Sequence, residues 1–434
     1  MSHYKPYPAY KDSGVEWIGK VPEGWEVARI KRKAQIATDR CSTIPEGFTY
    51  IGLEDVESGS GQYKPTATTS RQSDDSTVGL FQKGDVLYGK LRPYLRKCIT
   101  GPFDGACSTE FLVLKPSSLS ARWLQNWLLT NEVTQQIEAG CDGAKMPRTD
   151  WEHVGSIPIP VPHWAEQDAI LTTLDRETAR IDALIAKKTE FIELLAKKRQ
   201  ALITHAVTKG LDPNVKMKDS GVEWIGEVPE HWGVLRLKRI GTLKGGAGFP
   251  VHLQGQNGNE LPFYKVSDLA KSIDGVNLGQ TENTVTYEQA KALGATVFPA
   301  GTLAWAKIGA ALSLNRRRIA QIPCCLDNNI TGFTVNSAVA SEMYCYYLMS
   351  ILDFSVHARP GAVPSFSEGD QGELLVPLPL RAEQDLIATV IRKRTAHIDA
   401  LIEKVQLSID LLKKRRSALI TAAVTGQIDL RESA

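Results

Sequence analysis

The sequence predicts an α+β fold in which two tandem domains of mixed helix and sheet are each followed by a long helix. Three observations lead to this prediction. The chain repeats itself, the end of each copy has the periodicity of a coiled coil, and the intervening regions hold short apolar runs between turn residues. With 434 residues, 42% hydrophobic and 23% charged, the chain has the composition of a globular protein with more than one domain.

The repeat has a conserved beginning and a conserved end. Residues 11–32 match residues 218–239 at 17 of 22 positions, and residues 165–212 match 382–429 at 27 of 48 positions, the second pair lying 217 residues apart. We therefore divide the chain into a first domain at 1–164 with its opening block at 11–32, a first long helix at 165–212, a second domain at 213–381 with its opening block at 218–239, and a second helix with a tail at 382–434. The regions between the matched blocks have diverged.

The closing block of each copy is predicted to be one long helix of a pair. Apolar residues recur at steps of three and four, no glycine or proline interrupts them, and the helices are expected to begin near Ala165 and Ala382. Arg199 and Arg416 interrupt the apolar seam at corresponding positions. The alternative is an ordinary amphipathic helix that lies on its own domain.

The diverged regions contain both periodicities. Asp85–Tyr88, Phe111–Leu114 and Thr331–Val335 are predicted to be strands, whereas Trp123–Leu129 and Met343–Leu352 are predicted to be buried helices. The opening-block tryptophans are expected to pack the start of each copy against a domain or a helix end, although a partner-docking patch is the alternative. These tryptophans are Trp17, Trp25, Trp224 and Trp232.

The sequence lacks the motifs that characterise the common classes of enzyme. The run from Gly84 to Lys90 resembles a P-loop, but Leu91 replaces the hydroxyl residue and Pro93 falls where the helix should form. No methyltransferase, nuclease, zinc or hydrolase constellation stands out. The chain is therefore predicted not to be an enzyme. Seven cysteines without a C-x-x-C pair, and no long apolar run, predict a cytoplasmic protein.

Basic residues cluster at corresponding places of the two domains, although the net charge is only +2. Arginine and lysine neutralise phosphates or bond to guanine, and asparagine suits adenine. The alternative is that these charge runs are merely solvated surface. The candidate DNA contacts are Lys90, Arg92, Tyr94, Arg96 and Lys97, then Lys145 and Arg148, and in the second domain Lys307 with a loop of Asn315, Arg316, Arg317 and Arg318.

The motifs DSGVEWIGKVPEGW at 12–25, GDVLYGKLRPYL at 84–95 and AEQD…IDALI…ALIT at 165–204 together resemble the specificity subunit of type I restriction–modification systems. The resemblance implies two target-recognition domains that each read half of a bipartite DNA site. It implies an antiparallel coiled coil that sets the unread spacer, and a pseudo-twofold frame for two adenine-N6 methyltransferase subunits, joined in restriction complexes by motor–nuclease subunits.

The same resemblance implies no cofactor in this chain, with S-adenosylmethionine, ATP and magnesium bound by the partner subunits. Because the two domains differ, we expect the two half-sites to differ. Two alternatives stay open at this point: a coiled-coil adaptor that binds protein partners, and the specificity portion of a fused restriction–modification enzyme.

Overall fold

The computed structural model of the chain describes residues 4–66, 77–141, 143, 145–272, 274–359 and 363–431. The chain divides into two compact units, the first formed by Met1–Thr189 with Gln406–Ala434 and the second by Glu190–Val405. Each unit therefore contains one diverged region and part of both long helices. The boundaries of the units fall inside these helices, and not at the helix ends.

The helices of the described residues comprise two long ones and several short ones. In chain order they are α1 (Ala121–Leu128), α2 (Asn131–Ala139), α3 (Trp151–Ser156), α4 (Trp164–Lys209), α5 (Tyr287–Ala292), α6 (Ala310–Ser313), α7 (Glu342–Ile351), α8 (Phe354–His357), α9 (Glu368–Gly372) and α10 (Arg381–Val424).

The strands of the first unit are β1 (Tyr10–Asp12), β2 (Lys20–Pro22), β3 (Glu26–Arg29), β4 (Ala34–Ile36), β5 (Arg40–Cys41), β6 (Thr49–Ile51), β7 (Val78–Phe81), β8 (Val86–Gly89), β9 (Cys98–Thr100), β10 (Gly105–Cys107), β11 (Phe111–Pro116) and β12 (Pro158–Val161). Those of the second unit are β13 (Met217–Asp219), β14 (Glu227–Pro229), β15 (Gly233–Arg236), β16 (Gly241–Gly245), β17 (Leu261–Tyr264), β18 (Thr284–Val285), β19 (Leu303–Ala306), β20 (Arg317–Ile319), β21 (Cys325–Leu326), β22 (Ile330–Val335) and β23 (Leu375–Leu378).

The two units carry corresponding central sheets. The first has the antiparallel order β4-β11-β8-β9, and the second has β16-β22-β19-β20. A second sheet, β5-β7-β10-β6 or β18-β17-β21, accompanies each of them. Within the described residues, the proline-spaced strands β12 and β23 each pair with a single strand, β3 and β15 respectively. This placement suits them because proline lacks the N–H that a second neighbour would need.

Each long helix begins and ends where the sequence changes from periodic apolar residues to glycine or proline. The helix α4 begins at Trp164 and α10 at Arg381, one residue before the expected starts. Gly210 and Gly426 follow the two helices with φ angles of 77° and 72°, the left-handed conformation that favours glycine after a helix. None of the helices in the described part of the chain combines the length and the hydrophobicity that a membrane span requires.

The opening-block tryptophans hold the start of each copy to a long helix. In the first unit the Trp25 indole N–H donates to Oε1 of Glu166 over 3.0 Å. In the second unit the Trp232 indole N–H donates to Oε1 of Glu383 over 3.1 Å. Both tryptophans are 1% exposed, so each glutamate of a first helical turn satisfies a buried donor. The expected packing role of these two tryptophans is thereby observed.

Candidate nucleic-acid interface

The two domains hold their candidate residues on the same backbone frame. In the first domain Lys90 directly follows β8, and in the second domain Lys307 directly follows β19. The carbonyl oxygen of each lysine accepts a hydrogen bond from a backbone N–H of a later loop. Two residues further on, a backbone N–H donates to a proline carbonyl of that same loop. The bonds are Thr149 N to Lys90 O (3.2 Å) and Arg92 N to Pro147 O (2.8 Å) in the first domain, and Phe366 N to Lys307 O (2.8 Å) and Gly309 N to Pro364 O (2.8 Å) in the second.

The basic turn of the first domain is built around a single 3₁₀ turn. Pro93–Leu95 forms this turn between Arg92 and Arg96, whose φ angles of 52° and 47° are uncommon for residues other than glycine. Tyr94 is 48% exposed at the tip of the turn. Arg92 and Arg96 therefore flank the exposed ring along the chain. This geometry suits a contact with a large ligand.

Two cations of this turn are committed to contacts inside the domain. Arg96 donates from Nη1 to Oδ1 of Asn131 over 2.6 Å, and Lys97 donates from Nζ to the carbonyl oxygen of Leu53 over 2.5 Å. Their charges still contribute to the local field. Their head groups, however, would have to exchange these partners before either could bind a phosphate directly.

The second loop of the first domain adds Lys145 and Arg148 beside Lys90. Lys145 is exposed, and Arg148 forms a two-bond ion pair with Glu110, with N···O distances of 2.7 and 3.2 Å. Lys90 is half-buried. The bridge between Leu91 and Arg148 brings this loop next to the segment that leads into the basic turn.

The second domain departs from the expectation at its arginine run. Residues Arg317–Ile319 form the strand β20, paired with β19, and not a lengthened loop. Arg317 is 3% exposed and its guanidinium lies 3.8 Å from the centre of the Phe354 ring. It donates to the carbonyl of Leu352 over 3.0 Å, and burial lowers its pKa to about 9. The expectation that Arg317 lies in an exposed loop, free to contact DNA, is therefore wrong, because its charge is used inside the fold.

The neighbours of Arg317 divide between structure and surface. Asn315, with a φ angle of 49°, accepts the Phe354 N–H over 3.1 Å and donates to Asp353 over 2.8 Å, so its amide shapes a turn. Arg318 donates to the Gly275 carbonyl over 2.9 Å, and burial lowers its pKa. Arg316 is half-buried, and the described residues offer its side chain no hydrogen bond or ion pair.

Lys307 and a residue that the sequence reading missed complete the second surface. Lys307 pairs with Glu368 at 2.5 Å, and the exposed Arg359 pairs with Asp370 at 2.9 Å. The backbone of Arg359 bonds to Ser365, next to the proline of the shared frame. Arg359 is separated from the other basic residues in sequence. The sequence signal for Arg359 is its place five residues before Pro364, which corresponds to Pro147 of the first domain at the repeat distance of 217 residues.

The site offers charge and hydrogen-bonding groups but no evident metal centre. Among the described residues, no group of three or more histidine, cysteine or carboxylate side chains is placed to hold a metal ion. Instead, several cations of the site are paired with carboxylates of the same domain, namely Arg148 with Glu110, Lys307 with Glu368 and Arg359 with Asp370. Such a surface can exchange intramolecular ion pairs for contacts with an anionic ligand.

Comparisons with known proteins converge on one family. The EcoDI specificity subunit of a type I restriction enzyme from Escherichia coli is 27% identical over 183 residues, which are 41% of this chain and 41% of that protein. The MjaX specificity subunit from Methanocaldococcus jannaschii is 22% identical over 446 residues, covering 95% of this chain and 96% of that protein. The chain thus spans less than half of the first relative and nearly all of the second. No family model matches the chain.

Solved structures give the same fold. A chain from a study of the assembly and conformational transition of a type I restriction–modification system aligns with a TM-score of 0.72 at 18% identity, covering 94% of this chain and 99% of that one. The HsdS subunit from Thermoanaerobacter tengcongensis aligns with a TM-score of 0.50 at 18% identity, covering 94% and 98%. The resemblance read from the sequence motifs is confirmed, as is the prediction that the chain is not itself an enzyme. This chain is similar in sequence and in fold to the specificity subunits of type I restriction–modification systems.

Proposed function

We propose that this chain is the DNA sequence-recognition subunit of a type I restriction–modification complex and reads an asymmetric bipartite site, one half-site per domain. The observation that carries the proposal is the shared frame around Lys90 and Lys307. Identical backbone bonds present different side chains in the two domains. A common scaffold with different surfaces suits two readers of different sequences, whereas duplicated catalysis would require the same reactive groups twice.

The basic and aromatic residues on and beside the frame would divide between positioning and reading. Lys145, Arg316 and Lys90 carry charges that neutralise phosphates, and such contacts fix register without reading sequence. Arg148 has the planar fork that bonds to O6 and N7 of guanine once it leaves Glu110. Tyr94 can lie against a sugar or a base.

We further propose that α4 and α10 pair as an antiparallel coiled coil that separates the half-sites. At 46 and 44 residues, and about 1.5 Å per residue, each helix is roughly 65–70 Å long. In both units, segments of the two helices share a core, for example Ile181 with Leu419 in the first and Ile203 with Ile387 in the second. A rigid pair of this kind would set a spacer of unread base pairs.

The partners in this proposal are two adenine-N6 methyltransferase subunits and, in a restriction complex, two motor–nuclease subunits. Support comes from leucines that stay exposed at matching positions of the two helices, since equal apolar faces can receive two equal partners. They are Leu184 and Leu194 on α4, 48% and 54% exposed, and Leu401 and Leu411 on α10, 40% and 58% exposed. S-adenosylmethionine, ATP and magnesium would be bound by those partners, in the cytoplasm.

The test is a methylome. The chain is expressed with the methyltransferase encoded beside it in a host without adenine methylation, and N6-methyladenine is mapped by long-read sequencing. We expect modified adenines on both strands of one gapped, asymmetric motif, lost when this chain is omitted. A soluble complex of the two proteins that methylates no site would refute the proposal and favour a protein-binding adaptor.

A further inference from the structure

We propose that two matched ion pairs, Asp182 with Arg416 and Arg199 with Asp399, select the antiparallel orientation of the two long helices and fix their register. The arginines are the residues that interrupt the apolar seam in both copies. Orientation and register are properties of this chain alone. The consequence for the DNA spacer, in contrast, rests on the proposed function.

The first pair lies within the first unit. The Nε of Arg416 is 3.0 Å from one carboxylate oxygen of Asp182 and 3.2 Å from the other. The Arg416 side chain is 16% exposed and that of Asp182 is 34% exposed. Ile181, beside Asp182, is buried, and so is Leu419, near Arg416. The pair therefore sits at the edge of an apolar contact, where an unpaired arginine would be costly.

The second pair lies within the second unit and repeats the first. The Nε of Arg199 is 2.8 Å from Oδ1 of Asp399, and its Nη2 is 3.3 Å from Oδ2. Ile398, beside Asp399, is 9% exposed. Asp399 follows Asp182 by 217 residues, and Arg416 follows Arg199 by the same 217. Each helix thus supplies the acid of one pair and the base of the other.

This exchange of roles discriminates between the two possible orientations. An antiparallel pair sets the aspartate of one helix against the arginine of the other, at two places. A parallel pair in matched register would set Asp182 against Asp399 and Arg199 against Arg416. Two attractions become two repulsions, and like charges at the edge of a seam disfavour that arrangement.

The same residues reject registers shifted by one heptad. A shift in one direction places Arg416 opposite Asp175 but Arg199 opposite Arg392. A shift in the other direction places Arg416 opposite Thr189 and Arg199 opposite Gln406. Neither shifted register gives both arginines a carboxylate. The observed register does, and a charged residue at a seam position is a known means of specifying register.

The test exchanges charges on one helix and then on both, in the full-length chain. The one-helix variant carries Asp182→Arg with Arg199→Asp, and the two-helix variant adds Asp399→Arg with Arg416→Asp. We expect the one-helix variant to lower Tm by about 5 °C or more, because both pairs become repulsive. The two-helix variant restores attraction at both places, so its Tm should return to within about 2 °C of the original.

A matched control separates the ion pairs from the general effect of rearranged charge. Lys187→Glu with Glu190→Lys exchanges two exposed charges on the same helix and should change Tm by less than about 1 °C. A two-helix variant that is no more stable than the one-helix variant would overturn the proposal. So would a one-helix variant as stable as the unmodified chain.

The spacer is read from the methylome of the complex with its methyltransferase. We expect the two-helix variant to methylate the original motif with the original gap. The one-helix variant should methylate it at least tenfold less, or with mixed gaps. If the unmodified chain directs no methylation, the proposed function fails, yet the Tm comparison still decides the role of the ion pairs.

Discussion

Arg316 and Arg317 are adjacent in sequence, and the structure predicts opposite consequences for replacing each with alanine. Arg317 is buried against the rings of Phe354 and Trp305, whereas Arg316 contributes its side chain to no hydrogen bond or ion pair among the described residues. Arg317→Ala should therefore unfold the second unit at a lower temperature. Arg316→Ala should leave the fold intact and weaken DNA binding by the complex.

The size of the Arg317 effect follows from what the alanine removes. A desolvated cation–π contact contributes about 2 kcal/mol, and hydrogen bonds to Leu352 and Asn315 contribute about 1 kcal/mol each. Relief of the buried charge offsets part of this, since burial lowers the pKa of Arg317 to about 9. The net loss of about 2–3 kcal/mol lowers Tm by roughly 4–12 °C in a unit of this size.

The assay compares three variants of the full chain by calorimetry and by DNA binding in complex with the methyltransferase. Arg317→Met keeps the volume without the charge and should lose less stability than Arg317→Ala. Arg316→Ala should keep its Tm within about 1 °C and reduce the slope of log affinity against log salt by about one. An unchanged Tm for Arg317→Ala would refute the assignment of this residue to the core. An unchanged salt slope for Arg316→Ala would contradict the assignment of Arg316 to DNA binding.

Three further predictions concern the helices and their ends. Trp232→Phe removes the indole bond to Glu383 and should cost the second unit about 1 kcal/mol, seen as a lower Tm. Arg431 holds the pKa of Asp429 below its usual range, so the stability that this ion pair contributes is complete at neutral pH and is lost as pH falls through the lowered pKa. Hydrogen exchange at 426–431 should accelerate over that pH range. Asp429→Asn should show fast exchange already at pH 7. A heptad inserted in both helices, after Glu190 and after Leu407, should lengthen the spacer by about three base pairs, since seven residues add roughly 10 Å. An unchanged methylated motif would contradict the proposal that helix length sets the spacer.

Helices and strands followed from the sequence where local signals agreed with the fold. The limits of α4 and α10 fell within a few residues of the expected ones. A long stretch of apolar residues at helical spacing, without glycine or proline, favours a single uninterrupted helix. The strands at Val86–Gly89 and Ile330–Val335 were also close to their predicted positions. Duplication of the chain strengthened the prediction of the two long helices, since both copies kept the same apolar period.

The misassigned arginine shows where such reasoning stops. Three consecutive arginines in a sequence suggest an exposed cluster, but a strand directs neighbouring side chains to opposite faces. Arg317 points inward because Trp305 and Phe354, distant in sequence, form a place for its guanidinium. That pocket exists only after the sheet has formed. The pairing of Arg148 with Glu110, 38 residues away, was hidden for the same reason.

The carboxylates beside the candidate cations lead to a last prediction. Glu110 pairs with Arg148 in the first domain, and Glu368 pairs with Lys307 in the second. Each carboxylate competes with a phosphate or a base for the same cation. A chain whose net charge is only +2, and in which Arg148 and Lys307 are already paired, should bind DNA weakly by itself and bind tightly only where a correct sequence compensates for the broken ion pair.

Glu110→Gln and Glu368→Gln test this competition. Each should raise the affinity of the complex for unrelated DNA several-fold, since a repelling charge is removed and a cation is freed. Affinity for the methylated motif should rise less, so the specificity ratio falls, and the loss should be confined to the half-site read by the altered domain. Titrations with specific and unrelated duplexes at two salt concentrations measure both affinities. Equal gains on both duplexes would show that the carboxylates only lower the charge of the surface, whereas a larger gain on unrelated DNA identifies them as part of sequence discrimination.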